Sequence, residues 1–271
     1  MDKRVLAEKL TALCAEAGVA IVAIYNATQP VSVEYKSDDS PLTAADRRAH
    51  DIIVSGLQVM TPDWPVLSEE QELPDFELRK SWSRYWLVDP MDGTREFVER
   101  TGEFTINVAL IEQGVATLGI VYLPLEKIAY IGIPEQAFAV KAENNRQTSL
   151  RVSTAGQSAS LTVLSSSRYQ GEKLERCILR LAEHFGDIER LPAGSALKFC
   201  YLAEGRGDIY PRFSPCCEWD TAAGQAVLEA AGGSLVDLKF NPLRYNQQLS
   251  IMSPNFYGLA RIGTNWKKIL D

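Results

Sequence analysis

Leu6, Leu10, Leu13, Ala17, Ile21 and Ile24 recur at helical intervals, so residues 3–25 predict one long amphipathic helix. A short strand, "VSVEYK", follows, and "SDDSPLTAADRRAHDIIVSGLQVM" then reads as a loop feeding a second helix. Thr43 and Asp46 stand at capping-box spacing ahead of Ile53, Leu57 and Met60, which share one helix face. An acid at a helix start offsets the helix dipole, which by itself gives Asp46 a structural reason to be there.

The period then shortens. "PVLS", "RYWLV", "FTINVALIE", "ATLGIVYL", "KIAYIGI" and "AFAVKA" are strand-like runs separated by Gly and Pro, and they predict a mainly antiparallel sheet over residues 85–142. "ENNRQTS" (143–149) is the most polar and least periodic stretch, and it sets an expected boundary between units 1–150 and 151–271. Beyond it, strands "LTVLSSS", "DIERL" and "DIYPRF" alternate with helices "GEKLERCILRLAEHF", "SALKFCYLAE" and "DTAAGQAVLEAAGG". That alternation predicts an α/β second half after an α+β first half.

Composition narrows the function classes. A net charge of −7 supplies no basic excess for a nucleic-acid polymer, whereas a small phosphorylated ligand stays open if metal ions bring the positive charge. The charged opening "MDKRVLAEKL" is unlike a signal peptide, and no run is long enough to cross a bilayer. Five cysteines, 14, 177, 200, 216 and 217, form no CxxC pair and read as reduced thiols of a cytoplasmic protein. Peripheral contact with the inner face of the membrane stays open, although no basic amphipathic segment demands it. With only His50 and His184, both in helical patterns, there is little material for a zinc site or a Ser-His-Asp triad.

What remains is acidic. "PVLSEE" ends in Glu69 and Glu70, "WLVDPMDGT" carries Asp89 and Asp92, "CCEWDTAAG" places Asp220 at a helix start, and Asp46 opens another helix. Any one of these could be a solvated turn residue. If they converge, two carboxylates about 4 Å apart repel by roughly 4 kcal/mol at an effective dielectric near 20, and a cation must compensate. Hard oxygen ligands select Mg²⁺, Mn²⁺ or Ca²⁺. In the "DPMDGT" turn, Pro90 keeps Asp89 extended, Gly93 leaves room for a phosphate, Thr94 offers a hydroxyl, and the Met91 carbonyl lies between the two acids.

"WLVDPMDGTREF" and "EWDTAAG" resemble the two signatures of the lithium-sensitive, magnesium-dependent inositol-monophosphatase superfamily, with "SPLTAAD" and "LSEE" in the right order upstream. "RYWLVDP", "GEFT", "LKFC", "YPRF" and "WDTAAG" are similar to its 3'(2'),5'-bisphosphate nucleotidase branch, and the likeness runs over nearly the whole chain. The resemblance implies a layered αβαβα sugar-phosphatase fold and a Mg²⁺-dependent phosphomonoesterase, with two or three ions and Mn²⁺ as a substitute. Its substrate would be 3'-phosphoadenosine 5'-phosphate, cleaved to AMP and phosphate within sulfur metabolism. It also implies metal ligands at Glu69, Asp89, the Met91 carbonyl, Asp92 and Asp220. Asp46 and Thr94, with Glu69, would activate the attacking water. Gly93 and Thr94 would seat the phosphate, with Asp220 beside the leaving oxygen. Ser195 and Lys198 of "GSALKF" and Arg212 of "YPRF" would contact the nucleotide. Most metal ligands would thus fall in residues 1–150, with the nucleotide contacts and the last Asp in 151–271. A monomer or homodimer is expected.

Two positions depart from that branch: Arg168 stands where a His is frequent, and Glu99 where a basic or small polar residue is usual. Both are expected to tune affinity only. An inositol or sugar phosphatase of the same superfamily is the alternative substrate reading. Haloacid-dehalogenase-type chemistry, which uses acids two apart in D-x-D, is disfavoured by the three-residue separation and the intervening Pro90.

Overall fold

The computed structural model describes residues 2–27, 33–35, 41–154, 160–166 and 171–270. Arg168, expected to tune affinity, lies outside the described residues. The chain begins with α1 (Lys3–Tyr25), whose first turn Asp2 caps by accepting the Arg4 N–H. A two-stranded antiparallel pair, β1 (Val33–Tyr35) and β2 (Pro41–Thr43), leads into α2 (Ala44–Met60). Next come β3 (Val66–Ser68), α3 (Phe76–Arg79), β4 (Arg84–Asp92) and α4 (Thr94–Val98). A meander follows: β5 (Thr105–Glu112), β6 (Val115–Leu123), β7 (Ile128–Ile133), β8 (Phe138–Glu143) and β9 (Arg146–Ser149). The C-terminal part supplies β10 (Leu161–Ser165), α5 (Glu172–Phe185), β11 (Ile188–Pro192), α6 (Leu197–Ala203) and β12 (Ile209–Arg212). It ends with α7 (Ala222–Ala230), β13 (Ser234–Asp237), β14 (Phe256–Leu259) and α8 (Trp266–Leu270).

Strands β3 to β9 lie in chain order in one seven-stranded sheet, antiparallel throughout except for the parallel β3–β4 pair. The second sheet runs β11-β10-β12-β14-β13 and is mixed, parallel on the β10 side and antiparallel around β14. Helices α1 and α2 bury Leu6, Leu10, Ile21, Ile53 and Leu57 against one face of the first sheet. Helices α6 and α7 fill the space between the sheets, and α5 with α8 covers the outer face of the second. The result is the five-layered αβαβα arrangement.

The middle layer dictates the composition of "DTAAGQAVLEAAGG". With a sheet on either side, α7 has no solvent face, and Ala222, Ala223, Ala226, Val227 and Leu228 are all buried. Its backbone lies directly on β6 and β7, where a Cβ at Gly119 or Gly132 would come within 2.4 Å of the Ala223 or Ala226 carbonyl oxygen. Small residues on both sides let the layers close.

The polar "ENNRQTS" stretch is structured. It makes the turn and edge strand of the β8–β9 hairpin, and β9 is exposed along its length. An edge strand with no buried face carries no hydrophobic alternation, which is why it reads as a linker. Strands β13 and β14 and helix α8 each span only four or five residues, too few to set up a period in the sequence.

Candidate active site

Strands β3 and β4 are parallel, with Ser68 beside Val88, so the residues after them leave the sheet side by side. Glu69 follows β3 and donates its N–H to the Val88 carbonyl at 3.1 Å, which sets its side chain next to Asp89. Asp89 and Asp92 are three apart, and a regular strand would point them to opposite faces. The pairing of β4 with β5 slips there: Asp89 faces Asn107 and Asp92 faces Thr105, so Pro90 and Met91 together oppose Ile106. That bulge restores a common face for the two acids, and Pro90, which has no N–H to donate, suits the break in the ladder.

Gly93 closes the turn with φ +97°, a left-handed backbone, and a Cβ there would lie 2.9 Å from the Glu103 carbonyl oxygen. Thr94 then starts α4 and donates its hydroxyl to Asp46 Oδ1 at 2.9 Å. The other Asp46 oxygen accepts the Thr43 N–H and hydroxyl, both at 2.7 Å, which is the capping box at the head of α2. Asp220 sits in a single 3₁₀ turn (Glu218–Asp220) ahead of α7, with Oδ2 accepting the Cys217 N–H at 2.8 Å.

Carboxylate oxygens of Glu69, Asp89 and Asp220 thereby come within 4.8 Å of one another, from three segments that are far apart in the chain. They line a cleft of about 640 Å³ together with Met91, Asp92, Gly93 and Thr94. Burial, then the charges of Glu69, Asp92 and Asp220, hold the Asp89 carboxyl well above the usual carboxylate range. Burial, then Asp92 and Glu69, push Asp220 up to about 8. Burial raises Asp92 to about 6 although Lys198 and Arg212 pull it back. Burial also raises Asp46, against its hydrogen bonds from Thr43 and Thr94. A set of hard oxygen donors that repel one another at this spacing fits a divalent cation.

The sign of the pH dependence follows. Carboxyls whose folded-state pKa is raised bind more protons when folded than when unfolded, so stability falls as pH rises from the unfolded value toward the folded one. Without divalent cations the melting temperature is expected to drop between about pH 4 and about 8, the level to which Asp220 is pushed up. Saturating Mg²⁺ should flatten that drop, which melting scans at pH 5 and pH 8 would check.

A second compartment of about 160 Å³ adjoins the cleft through Asp92, Cys216 and Asp220 and is lined by Ser195, Lys198, Tyr210 and Arg212. Lys198 is buried, donates to the Ala193 and Ser195 carbonyls at 3.0 and 2.7 Å, and is lowered to about 8 by burial and by Arg212. Ser195 precedes α6, with φ +39°, instead of lying inside the helix expected over "SALKFCYLAE". Arg212 is held by the Ser214 and Pro215 carbonyls and by the Tyr210 hydroxyl at 3.0–3.2 Å. Glu99 directly follows α4, and it does not line either compartment. Three further residues belong to the site without having been expected there: Asn107, which is buried and donates to Asp92 at 3.4 Å, and Tyr210 and Met252, which line the two compartments. A lone Asn inside the apolar run "FTINVALIE" was the available signal for the first of them.

The inositol monophosphatase family model matches residues 2–267. The chain belongs to the inositol monophosphatase family. Among curated family members it is 43% identical to the 3'(2'),5'-bisphosphate nucleotidase CysQ of Salmonella typhimurium over 92% of this chain and 97% of that protein. It is 30% identical to the CysQ of Haemophilus influenzae over 89% and 88% of the respective chains. Of solved family structures, CysQ from Bacteroides thetaiotaomicron superposes with a TM-score of 0.82 at 34% identity, covering 94% and 96% of the two chains. An inositol monophosphatase from Anabaena shares the fold at a TM-score of 0.71 and 20% identity, covering 98% of this chain and 95% of that one. Among the described residues no helix is long and apolar enough to cross a membrane.

Proposed function

We propose that the protein is a Mg²⁺-dependent 3'(2'),5'-bisphosphate nucleotidase that hydrolyses 3'-phosphoadenosine 5'-phosphate to AMP and phosphate. The observation that carries this reading is the pairing of two compartments: an acidic cleft at Glu69, Asp89 and Asp220, and an adjoining one that adds the cations Lys198 and Arg212 beside Asp92 and Glu96. A bisphosphate has one phosphate for each, whereas an inositol monophosphate leaves the second without an anionic partner. The likeness to the CysQ relatives supports the same choice.

In this reading Glu69, Asp89, the Met91 carbonyl, Asp92 and Asp220 hold two or three Mg²⁺ ions, with Mn²⁺ able to replace them. Bound there, such ions supply Lewis acidity and neutralise charge on the entering and departing oxygens. The chain's own groups do the rest. Asp46 accepts from the Thr94 hydroxyl, so the Thr94 oxygen is free to accept a hydrogen from the attacking water and pass proton density toward Asp46. The amides of Gly93 and Thr94, at the head of α4, offer donors to the phosphate. Ser195, Lys198 and Arg212 hold the remaining part of the nucleotide, fixing the ester in line with the water. Reaction in the cytoplasm fits the five free cysteines.

Phosphate release from the adenosine bisphosphate and from inositol 1-phosphate, at equal Mg²⁺, tests the substrate. A kcat/KM larger by about 10²-fold or more for the bisphosphate is expected, from the pairing of a buried charge that the monoester leaves unpaired. Preference for the inositol ester would overturn the substrate reading and leave the acidic cleft as it stands.

A further inference from the structure

Arg79, at the end of α3, has no exposed surface, yet it lines neither compartment. Its guanidinium bonds run to one segment: to the Asn246 side-chain oxygen, to the Gln248 carbonyl at 3.1 Å and to the Leu249 carbonyl. Asn246 answers by donating its side-chain amide to the Arg79 carbonyl at 2.5 Å, and it holds a left-handed backbone with φ +57°. The same residue donates its N–H to Glu218 Oε2 at 2.8 Å.

From Asn246 onward the chain forms a strap beside the turn that bears Asp220. Ser253 donates to the Cys216 carbonyl at 2.8 Å, Glu218 donates to the Ile251 carbonyl at 2.9 Å, and Cys217 pairs with Met252 as an isolated antiparallel bridge. Cys217 is the residue whose N–H holds Asp220 Oδ2. The path from Arg79 to the Asp220 carboxylate runs from the guanidinium to the strap, from the strap to the Cys216 carbonyl and Glu218 N–H that flank Cys217, and from the Cys217 N–H to the carboxylate.

We propose that Arg79 is a positioning residue for Asp220, its buried guanidinium fixing the 246–253 strap and thereby the Cys217 amide that aims the Asp220 carboxylate into the acidic cleft. Packing alone does not call for a cation here, because an apolar side chain of similar volume fills such a space without the desolvation cost. What the guanidinium adds is a rigid planar fork that fixes several acceptors at once. A lysine, with a compact ammonium on a flexible stem, keeps the charge and loses the fork.

The proposal rests on Asp220 being a cation ligand, and the test separates the two. Mn²⁺ binding is titrated by electron paramagnetic resonance, without substrate, on the folded fraction of wild type, Asp220→Asn, Arg79→Lys and Arg261→Lys. Arg261 is a buried arginine facing Asp208 at 3.7 Å in the second-sheet region, so it controls for general loss of a buried guanidinium. Arg79→Lys is expected to weaken Mn²⁺ binding about tenfold to a hundredfold, as loss of the groups that orient a ligand does. Raised Mg²⁺ should restore its kcat, and Arg261→Lys should bind Mn²⁺ like wild type. Should Arg79→Lys fail to fold, Asn246→Gly, which removes the fork's amide partner, keeps the backbone N–H and tolerates the left-handed backbone, carries the same expectation. Mn²⁺ affinity within about twofold of wild type in the folded variant would overturn the proposal. Unchanged affinity in Asp220→Asn would overturn the ligand reading and the proposal with it.

Discussion

Asp46→Asn is expected to lower kcat by about 10²–10⁴-fold, the usual contribution of a positioned acid–base group, while leaving divalent-cation affinity close to wild type. The hydrogen-bond pattern dictates this outcome. Two donors from Thr43 converge on Asp46 Oδ2, so an asparagine must keep its oxygen there. Its NH₂ then faces Thr94, which has to accept where it now donates. The Thr94 oxygen keeps a second lone pair for a water hydrogen, but its own proton loses the carboxylate that would receive it, while the capping box of α2 survives and the protein should fold. Asp46 is not one of the three clustered carboxylates, so the cation site stays complete. Steady-state kinetics beside a Mn²⁺ titration would check both halves. Unchanged turnover removes Asp46 from the proton path, and lost cation binding makes its role structural.

Asp220→Asn is expected to move activity and stability in opposite directions. Cation binding and turnover should fall by about 10²-fold or more, since a neutral amide replaces a carboxylate whose partner charge is the ion itself. Stability of the cation-free protein should rise. Burial and the charges of Asp92 and Glu69 push Asp220 up to about 8, so near pH 8 the fold carries the cost of a group that would ionise freely when unfolded. The net gain, after losing the charge assistance of the bond from Cys217, is on the order of a few kcal/mol. For a chain of this size that is roughly a 5–10 °C rise in cation-free Tm at pH 8, vanishing near pH 4, where the wild-type acid is also neutral. A lower Tm at pH 8 would mean that Asp220 is stabilised as a carboxylate by something other than a cation.

Much of this site was legible in the chain. The helical period of α1 and α2, the capping box that holds Asp46 and the turn formers after "WLVDP" are local, and local interactions leave local patterns. The two signatures hold Asp89, Asp92 and Asp220, and "LSEE" and "SPLTAAD" upstream hold Glu69 and Asp46. What no local pattern carried was their convergence. Glu69 and Asp89 meet because β3 and β4 are parallel neighbours, and Asp220 joins them because α7 is sandwiched between the sheets. The bulge that turns Asp92 toward Asp89 exists only in the pairing with β5. Lys198 illustrates the same limit. The resemblance placed it at the nucleotide, but nothing local in "GSALKF" shows that it is buried against the Ala193 and Ser195 carbonyls. The strap from Asn246 to Ser253 was unreadable for another reason: it has almost no regular structure and takes its shape from Arg79 and the Cys216–Glu218 turn.

The central claim is that acids from distant parts of the chain form one cleft whose chemistry depends on divalent cations. The most direct measurement is phosphate release from 3'-phosphoadenosine 5'-phosphate before chelation, after exhaustive chelation and dialysis, and after Mg²⁺ is returned. Release is expected to fall to background on chelation and to recover with added Mg²⁺. Undiminished release from the chelated protein would contradict it.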